Sequence, residues 1–185
     1  MNALRLSTIA VLLLSIAPGG CTSMPVTAAP ESEHKSLMVF LVRHAEKADL
    51  SEDAELSAAG RERAAALART LRSAKVAHVH SSDFIRTRNT AAPTATEYGL
   101  EVELYDRRDL PALVEKLRRT GGRHLVVGHS GTTPSMVELL GGEPISTINE
   151  EGEFDRLYII TVGSDDMASS VMMRYGKAYD SGQNQ

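Results

Sequence analysis

Two histidines and two arginines are the residues of this sequence whose types and positions point most directly to chemistry. Arg43 and His44 follow one apolar segment, and His129 follows another. Arg86 lies in the first turns of a predicted helix. Imidazole and guanidinium groups gathered beside helix N-termini form a cationic pocket, which suits a phosphoryl group with a charge of about −2. Arginine fits this task because its planar guanidinium binds two phosphate oxygens at once.

The segments around these residues predict alternating strands and helices. Residues 37–42 are continuously apolar and rich in strand-forming types, which is typical of a strand buried on both faces of a mainly parallel sheet. Further strands are predicted at 76–81, 101–105, 125–127, 154–162 and 168–175. Helices are predicted to begin near Ser57, at 81–83, at Asp109 and at Thr133.

This order of elements predicts a single-domain α/β fold. We expect a three-layer α/β/α sandwich with a mostly parallel sheet and helices on both faces. Ligands bind outside the carboxyl ends of the strands in such sheets. His44, the segment 81–86 and His129 all follow strand ends, so we expect them to share one crevice.

Composition supports a globular domain and excludes one class of partner. The chain has 185 residues, of which 42% are hydrophobic and 24% charged, and this is enough for one domain with a true core. Its formal net charge is −4, and it has no tryptophan and three phenylalanines. A chain without a basic surface or many aromatic residues is not expected to bind nucleic acid.

The N-terminal segment has the features of an export signal. Residues 1–20 combine a positive start, an apolar segment too short to span a bilayer and a small-residue cleavage region. Cys21, the single cysteine, resembles the acylated cysteine of a bacterial lipoprotein, although Pro18 stands where such signals usually carry an aliphatic residue. Ordinary secretion is the alternative, so we expect a periplasmic protein or one anchored in a membrane through Cys21. The remaining expected regions are a flexible tether, the domain and a tail, at 21–35, 36–176 and 177–185.

Three ordered segments resemble the signature stretches of the histidine phosphatase superfamily, also called phosphoglycerate mutase-like. They are Arg43-His44 after an apolar strand, Ser81-Ser82-x-x-x-Arg86-x-x-x-Thr90-Ala91, and Val127-Gly128-His129-Ser130. Leu56-Ser57-Ala58-Ala59-Gly60 is similar to the Leu-Thr-x-x-Gly start of that family's first helix. The resemblance covers roughly residues 37–162, and the small phosphohistidine phosphatases are the branch it resembles.

The resemblance implies a role for each of the four residues. His44 would be the nucleophile, forming a phosphohistidine that water hydrolyses. Arg43, Arg86 and His129 would bind the non-bridging phosphoryl oxygens. His44 would have to be neutral, with a backbone carbonyl on its other ring nitrogen, whereas His129 would be more useful protonated. These opposite demands imply a pH optimum on the acidic to neutral side.

Two features depart from the family pattern. Ala45 replaces the glycine that usually follows the Arg-His pair, and we expect a slightly bulkier pocket wall there. The proton donor to the leaving group has several candidates. Asp109 is favoured, although it also fits the N-cap of the following helix, and Asp106, Glu103 and Glu46 are the alternatives.

The expected function is a phosphatase that needs no metal or other cofactor and acts on a small phosphorylated substrate or a phosphoprotein. A mutase is less favoured because the segment from Arg86 to His129 is too short for a long substrate lid. One alternative is a membrane-tethered protein that binds phosphate or a polyanion without catalysis. Another is a metallohydrolase that would combine His44 and His129 with the pair His78 and His80. Suitably spaced carboxylate ligands for that metal are missing.

Overall fold

The computed structural model describes residues 35–180. The predicted signal peptide, Cys21, most of the tether and the end of the tail lie outside the described residues. The described strands are β1 (Leu37–Arg43), β2 (His78–Ser82), β3 (Val102–Tyr105), β4 (Gly122–Gly128), β5 (Arg156–Val162) and β6 (Ala168–Arg174). The described helices are α1 (Ala58–Leu71), α2 (Ile85–Tyr98), α3 (Leu110–Thr120) and α4 (Thr132–Leu139).

The described strands form one sheet in the order β3-β2-β4-β1-β5-β6. β3, β2, β4 and β1 pair in parallel, while β5 and β6 continue the sheet in antiparallel pairing. Arg43 at the end of β1 pairs with Gly128 at the end of β4, and the backbone N–H of His44 donates to the Gly128 carbonyl at 2.9 Å. The register of the two central strands therefore brings His44 and His129 to the same edge of the sheet.

Helices cover both faces of this sheet. Residues of α1 and α2, such as Leu67 and Ala91, pack with Val42 and Val127 on one face. Residues of α3 and α4 form a second buried cluster on the other face. This arrangement confirms the predicted three-layer α/β/α sandwich with a mostly parallel sheet. None of the helices within residues 35–180 is long and apolar enough to cross a membrane.

Helix α1 begins against the turn that follows β1. The Ser57 hydroxyl caps the helix by accepting a hydrogen bond from the Gly60 N–H at 3.0 Å. A Cβ atom at Gly60 would lie 2.2 Å from the Glu46 carbonyl oxygen, so this close approach requires glycine. The buried stripe of the helix includes Ala64, Leu67 and Leu71. The helix start thus fixes the backbone just after the Arg43-His44 pair.

The predicted helix start at 81–83 is wrong. Strand β2 continues through Ser82, because Ser81 pairs with Val127 of β4 and Ser82 with Tyr105 of β3. Backbone groups in the sheet ladder need no helix cap, and α2 begins later, after Phe84, without a side-chain cap. The Ser82 hydroxyl is therefore available to the site at the strand end.

The segment after β6 is bonded to the domain, although the sequence analysis assigns residues 177–185 to a tail. The Arg63 guanidinium donates to the carbonyl oxygens of Tyr175 and Lys177, at 3.0 and 2.9 Å. The Tyr179 N–H donates to the Asp155 carboxylate at 2.8 Å. Lys177 and Tyr179 are therefore hydrogen-bonded to the domain through tertiary contacts that have no local sequence signal.

Candidate active site

A cleft of about 930 Å³ opens at the carboxyl ends of the parallel strands. Arg43, His44, Arg86 and His129 all line it. The two imidazole rings meet edge to face, with their centroids 5.5 Å apart. The structure therefore brings together the four side chains that the sequence analysis selected for phosphoryl binding and attack.

His44 is buried in a form suited to nucleophilic attack. The side chain is 5% exposed, and its Nδ1 lies 2.8 Å from the Ala45 carbonyl oxygen. A carbonyl oxygen only accepts hydrogen bonds, so Nδ1 carries the proton and Nε2 keeps a lone pair. Burial, together with the positive charges of Arg43 and Arg86, lowers the pKa of His44 to about 3. The predicted neutral histidine with a backbone carbonyl on its other nitrogen is confirmed.

His129 is also neutral in the free protein. Its Nε2 lies 2.8 Å from the Ser82 hydroxyl, which orients the ring. Burial lowers the pKa of His129 to about 4, and the charges of Arg86, Arg107 and Arg43 act in the same direction. A positive charge on His129 is therefore disfavoured in the empty cleft, whereas the expectation of a protonated His129 concerns the occupied site and stays a prediction. The expected pH optimum on the acidic to neutral side likewise stays a prediction.

Each of the two arginines stacks on a phenylalanine. The Arg43 Cζ lies 4.1 Å from the centroid of the Phe154 ring, and the Arg86 Cζ lies 4.4 Å from that of Phe84. Although burial lowers the pKa of Arg43 to about 10, the group stays charged at neutral pH. The Nε atoms of both arginines are buried and lack a hydrogen-bond partner among the described residues. Buried N–H donors are normally satisfied, so the cleft is suited to an anionic acceptor.

Several residues of the cleft were missed by the sequence analysis. Phe84, Phe154 and Arg107 line it, and Arg107 also approaches the Phe84 ring at 5.5 Å. The chain has only three phenylalanines, and two of them line this cleft. The scarcity of phenylalanine in the sequence could have pointed to these two residues. No sequence pattern pointed to Arg107, which lies two residues before Asp109.

Small residues beside Arg43 and His44 have structural rather than pocket roles. Ala45 is 0% exposed and packs with Leu56 and Ala64, so the expected bulkier pocket wall is wrong. Its backbone N–H donates to the Thr90 hydroxyl at 2.9 Å, which ties α2 to the end of β1. At Gly128, a Cβ atom would lie 2.7 Å from the Thr132 hydroxyl. Glycine is required there because the start of α4 approaches so closely.

The favoured proton donor, Asp109, does not line the cleft. Its carboxylate caps α3 by accepting a hydrogen bond from the Ala112 N–H at 3.1 Å. Two of the alternatives also lie outside the residues that line the cleft. Asp106 is exposed, and Glu103 binds Lys116 at 2.6 Å. The geometry therefore does not support these three carboxyl groups as the proton donor.

Other carboxyl groups do lie at the cleft. Glu46 lines it but is held by the Arg63 guanidinium through contacts of 2.9 to 3.0 Å, which makes it a poor proton donor. Glu150 accepts a hydrogen bond from the hydroxyl of Ser130, the residue that follows His129, at 2.5 Å. The further acidic residues of the cleft are Asp49, Glu52 and Glu151.

Three histidines form a separate stack outside the cleft. The rings of His78 and His80 share one sheet face as predicted, and both stack against His124, with centroids 4.6 and 5.2 Å from it. His80 is 1% exposed, and its Nε2 lies 3.0 Å from Nδ1 of His124. Glu103 lies beside the stack, 3.1 Å from His78. Within residues 35–180, no group of three or more His, Cys, Asp or Glu side chains is arranged to hold a metal ion.

The buried histidines should make the fold sensitive to acid. Burial lowers the pKa of His80 from 6.5 to about 4 and that of His44 from 6.5 to about 3. Between these values the unfolded chain binds more protons than the folded one, so stability falls as pH falls. The protonation of each of these two histidines on unfolding should lower the unfolding free energy by about 2 kcal/mol between pH 7 and pH 5. Urea unfolding followed by circular dichroism at both pH values measures this loss.

Between pH 7 and pH 5, the expected loss of unfolding free energy comes from the histidines rather than from carboxylates such as Glu103. The pKa of Glu103 is lowered to about 2, mainly through its contacts with Lys116 and His78, which outweigh its burial. Its stabilising effect is lost only near and below the ordinary value of 4.5. An unfolding free energy that is the same at pH 7 and pH 5 would contradict the prediction.

The comparisons with known proteins agree with this geometry. Residues 39–109 match the family model of the histidine phosphatase superfamily (branch 1). The protein histidine phosphatase SixA complexed with tungstate has a similar fold, with a TM-score of 0.60 and 19% identity over 75% of this chain and 97% of that chain. Mycobacterial glucosyl-3-phosphoglycerate phosphatase aligns with a TM-score of 0.59 and 16% identity, over 78% of this chain and 100% of that chain.

A mutase shares the same fold. Phosphoglycerate mutase from Bacillus anthracis str. Sterne aligns with a TM-score of 0.63 and 14% identity, over 77% of this chain and 95% of that chain. The search of curated proteins gives no match. The family model spans Arg43, His44 and Arg86. Residues 39–109 thus match the histidine phosphatase superfamily model, and the fold is similar to those of these phosphatases and this mutase.

Proposed function

We propose that the protein is a metal-independent phosphatase that forms a phosphohistidine on His44. One observation carries this proposal. A buried, neutral His44 lines the same cleft as two charged arginines whose buried Nε groups have no partner among the described residues. This combination supplies a nucleophile with a free lone pair and donors for a phosphoryl group.

The reaction follows from these groups. Nε2 of His44 attacks the phosphorus atom as the bond to the leaving-group oxygen breaks, while Arg43 and Arg86 hold the non-bridging oxygens. The negative charge of the bound phosphoryl group favours the protonated form of His129, which donates its second N–H to a non-bridging oxygen while Nε2 keeps its contact with the Ser82 hydroxyl. The leaving oxygen takes a proton from water or from a carboxyl group at the cleft. A water molecule then attacks the phosphohistidine, which releases inorganic phosphate and restores His44.

The proposed substrate is a small phosphomonoester or a protein-borne phosphoryl group. Among the structural neighbours, SixA is described as a protein histidine phosphatase, and a second neighbour is a glucosyl-3-phosphoglycerate phosphatase. A cleft of about 930 Å³ accommodates a small ester or an exposed side chain. Hydrolysis is favoured over mutase activity because the short segment between Arg86 and His129 forms no long lid.

Trapping the covalent intermediate tests the proposal. The soluble chain starting at Thr22 would be mixed with a chromogenic phosphomonoester in the presence of a chelator, quenched and digested for mass spectrometry. We expect a base-stable, acid-labile phosphoryl group on the peptide that contains His44. Absence of both adduct and turnover over a broad substrate panel, with phosphate still bound, would instead favour a non-catalytic phosphate-binding protein.

Export and membrane anchoring through Cys21 are a further part of the proposal. They rest on the sequence of residues 1–21 alone. A lipid anchor would keep the cleft near a membrane while the domain stays in the surrounding aqueous compartment. Cell fractionation of the full chain and of Cys21→Ser tests this, because loss of the acylated cysteine should move the protein from the membrane to the soluble fraction.

A further inference from the structure

The guanidinium of Arg43 is held by backbone carbonyls from a distant loop. The anchor loop (residues 149–153) lies between α4 and β5. Nη1 of Arg43 donates to the carbonyl oxygens of Asn149 and Glu153, at 2.9 and 3.0 Å. Nη2 donates to the Glu150 carbonyl at 2.7 Å. Both terminal amino groups are therefore engaged, and Nε is left as the buried donor without a partner among the described residues.

A buried carboxylate shapes this loop. Glu153 is 3% exposed, and its Oε2 accepts a hydrogen bond from the Asn149 N–H at 3.0 Å. Its own N–H donates to the Asn149 carbonyl at 3.1 Å, so the two ends of the anchor loop are joined twice. Arg156 binds the same carboxylate with both Nε and Nη2, at 2.6 and 2.8 Å. Arg174 of β6 adds a second cation at 3.1 Å.

Arg156 extends this hydrogen-bond network to the residues that precede the anchor loop. Arg156 also donates to the carbonyl oxygens of Ser146 and Thr147, at 2.8 and 3.2 Å. Strand β5 therefore holds the chain on both sides of the anchor loop. A buried ion pair with this many hydrogen bonds favours one backbone arrangement over others, and the loop carbonyls depend on that arrangement.

We propose that Glu153 is a positioning residue for the phosphoryl site, acting through the anchor loop carbonyls that orient Arg43. The inference rests on the proposed function of the cleft. Glu153 does not line the cleft, so it acts on the bound phosphoryl group only through Arg43. Its negative charge, with that of Glu150, also opposes the lowering of the Arg43 pKa that burial causes.

A double-mutant cycle with Arg43 tests the proposal. Glu153→Gln, Arg43→Met and the double variant would be compared with the unmodified chain in the affinity for inorganic phosphate, by calorimetry, and in kcat/KM. Glu153→Gln alone should weaken phosphate binding about tenfold, because a misdirected Arg43 loses its contact. In the Arg43→Met background the same substitution should change binding by less than about twofold.

A second variant covers the case in which Glu153→Gln does not fold. Asn149 is exposed, and its side chain accepts hydrogen bonds from the N–H groups of Glu151 and Gly152, at 2.9 and 3.2 Å. Asn149→Ala loosens the anchor loop but leaves the ion pairs of Glu153 in place. It should weaken phosphate binding severalfold in the unmodified background and should have no further effect with Arg43→Met.

The possible results separate the inference from the proposed function. Equal losses with and without Arg43, or unchanged phosphate binding in a folded Glu153→Gln or Asn149→Ala variant, would overturn the inference. Unchanged binding and turnover in Arg43→Met would instead overturn the proposed function. Glu103→Gln is the matched control, because it neutralises a carboxylate that binds Lys116 and His78 outside the cleft. It should leave phosphate affinity within about twofold of the unmodified protein.

Discussion

Replacing His44 with alanine should lower kcat/KM for a phosphomonoester by about 10⁴-fold or more, because the covalent route is lost with the nucleophile. Phosphate should still bind within about tenfold of the original affinity, since Arg43, Arg86 and His129 stay in the cleft. Steady-state kinetics and calorimetry with inorganic phosphate measure the two effects. This separation between turnover and binding is the mark of a nucleophile.

His78→Gln is the matched control for that experiment. His78 is half-buried in the histidine stack and does not line the cleft. It should retain kcat/KM within about twofold, since distant substitutions without shared partners act independently. A His44→Ala protein that kept more than a tenth of the original turnover would contradict a phosphohistidine on this residue.

The second large effect is expected at Arg86. Its guanidinium lines the cleft, stacks on Phe84 and leaves a buried Nε without a partner among the described residues. Arg86→Met should lower kcat/KM by about 10³-fold, because the substitution removes a charge that stabilises the transferring phosphoryl group. Phosphate affinity should fall as well, which distinguishes this variant from His44→Ala.

The same helix supplies a matched control for Arg86. Arg88 lies two residues further along α2 and forms a surface ion pair with Asp83. Arg88→Met removes the same charge from the same helix and should leave kcat/KM within about twofold, because surface ion pairs contribute little. Equal losses in the two variants would show that general charge, and not the placement of Arg86, controls the reaction.

Much of the fold and the four central residues could be predicted because their signals are local. The apolar segment before Arg43 predicts a buried strand, and such a strand ends at the edge where ligands bind. His129 follows from the same argument at the end of β4. Local signals also compete with each other, as Asp109 shows. Its carboxylate caps α3, and this alternative was present in the sequence from the start.

The remaining features could not be predicted, because they depend on contacts between distant segments. The anchor loop binds Arg43 across more than a hundred residues of chain. The protonation state of His129 depends on burial and on Arg107, which no local pattern places near it. The boundary of β2 at Ser82 depends on pairing with two other strands. Tertiary structure decides each of these features.

The contacts of Arg63 set an order of events during synthesis. Its guanidinium joins Glu46 at the cleft to the backbone of Tyr175 and Lys177. A nascent chain that still lacks residue 177 contains His44, Arg43 and Arg86 but not the Lys177 carbonyl that Arg63 binds. The ribosome must therefore add residue 177 and release it from the exit tunnel before the cleft reaches its final form.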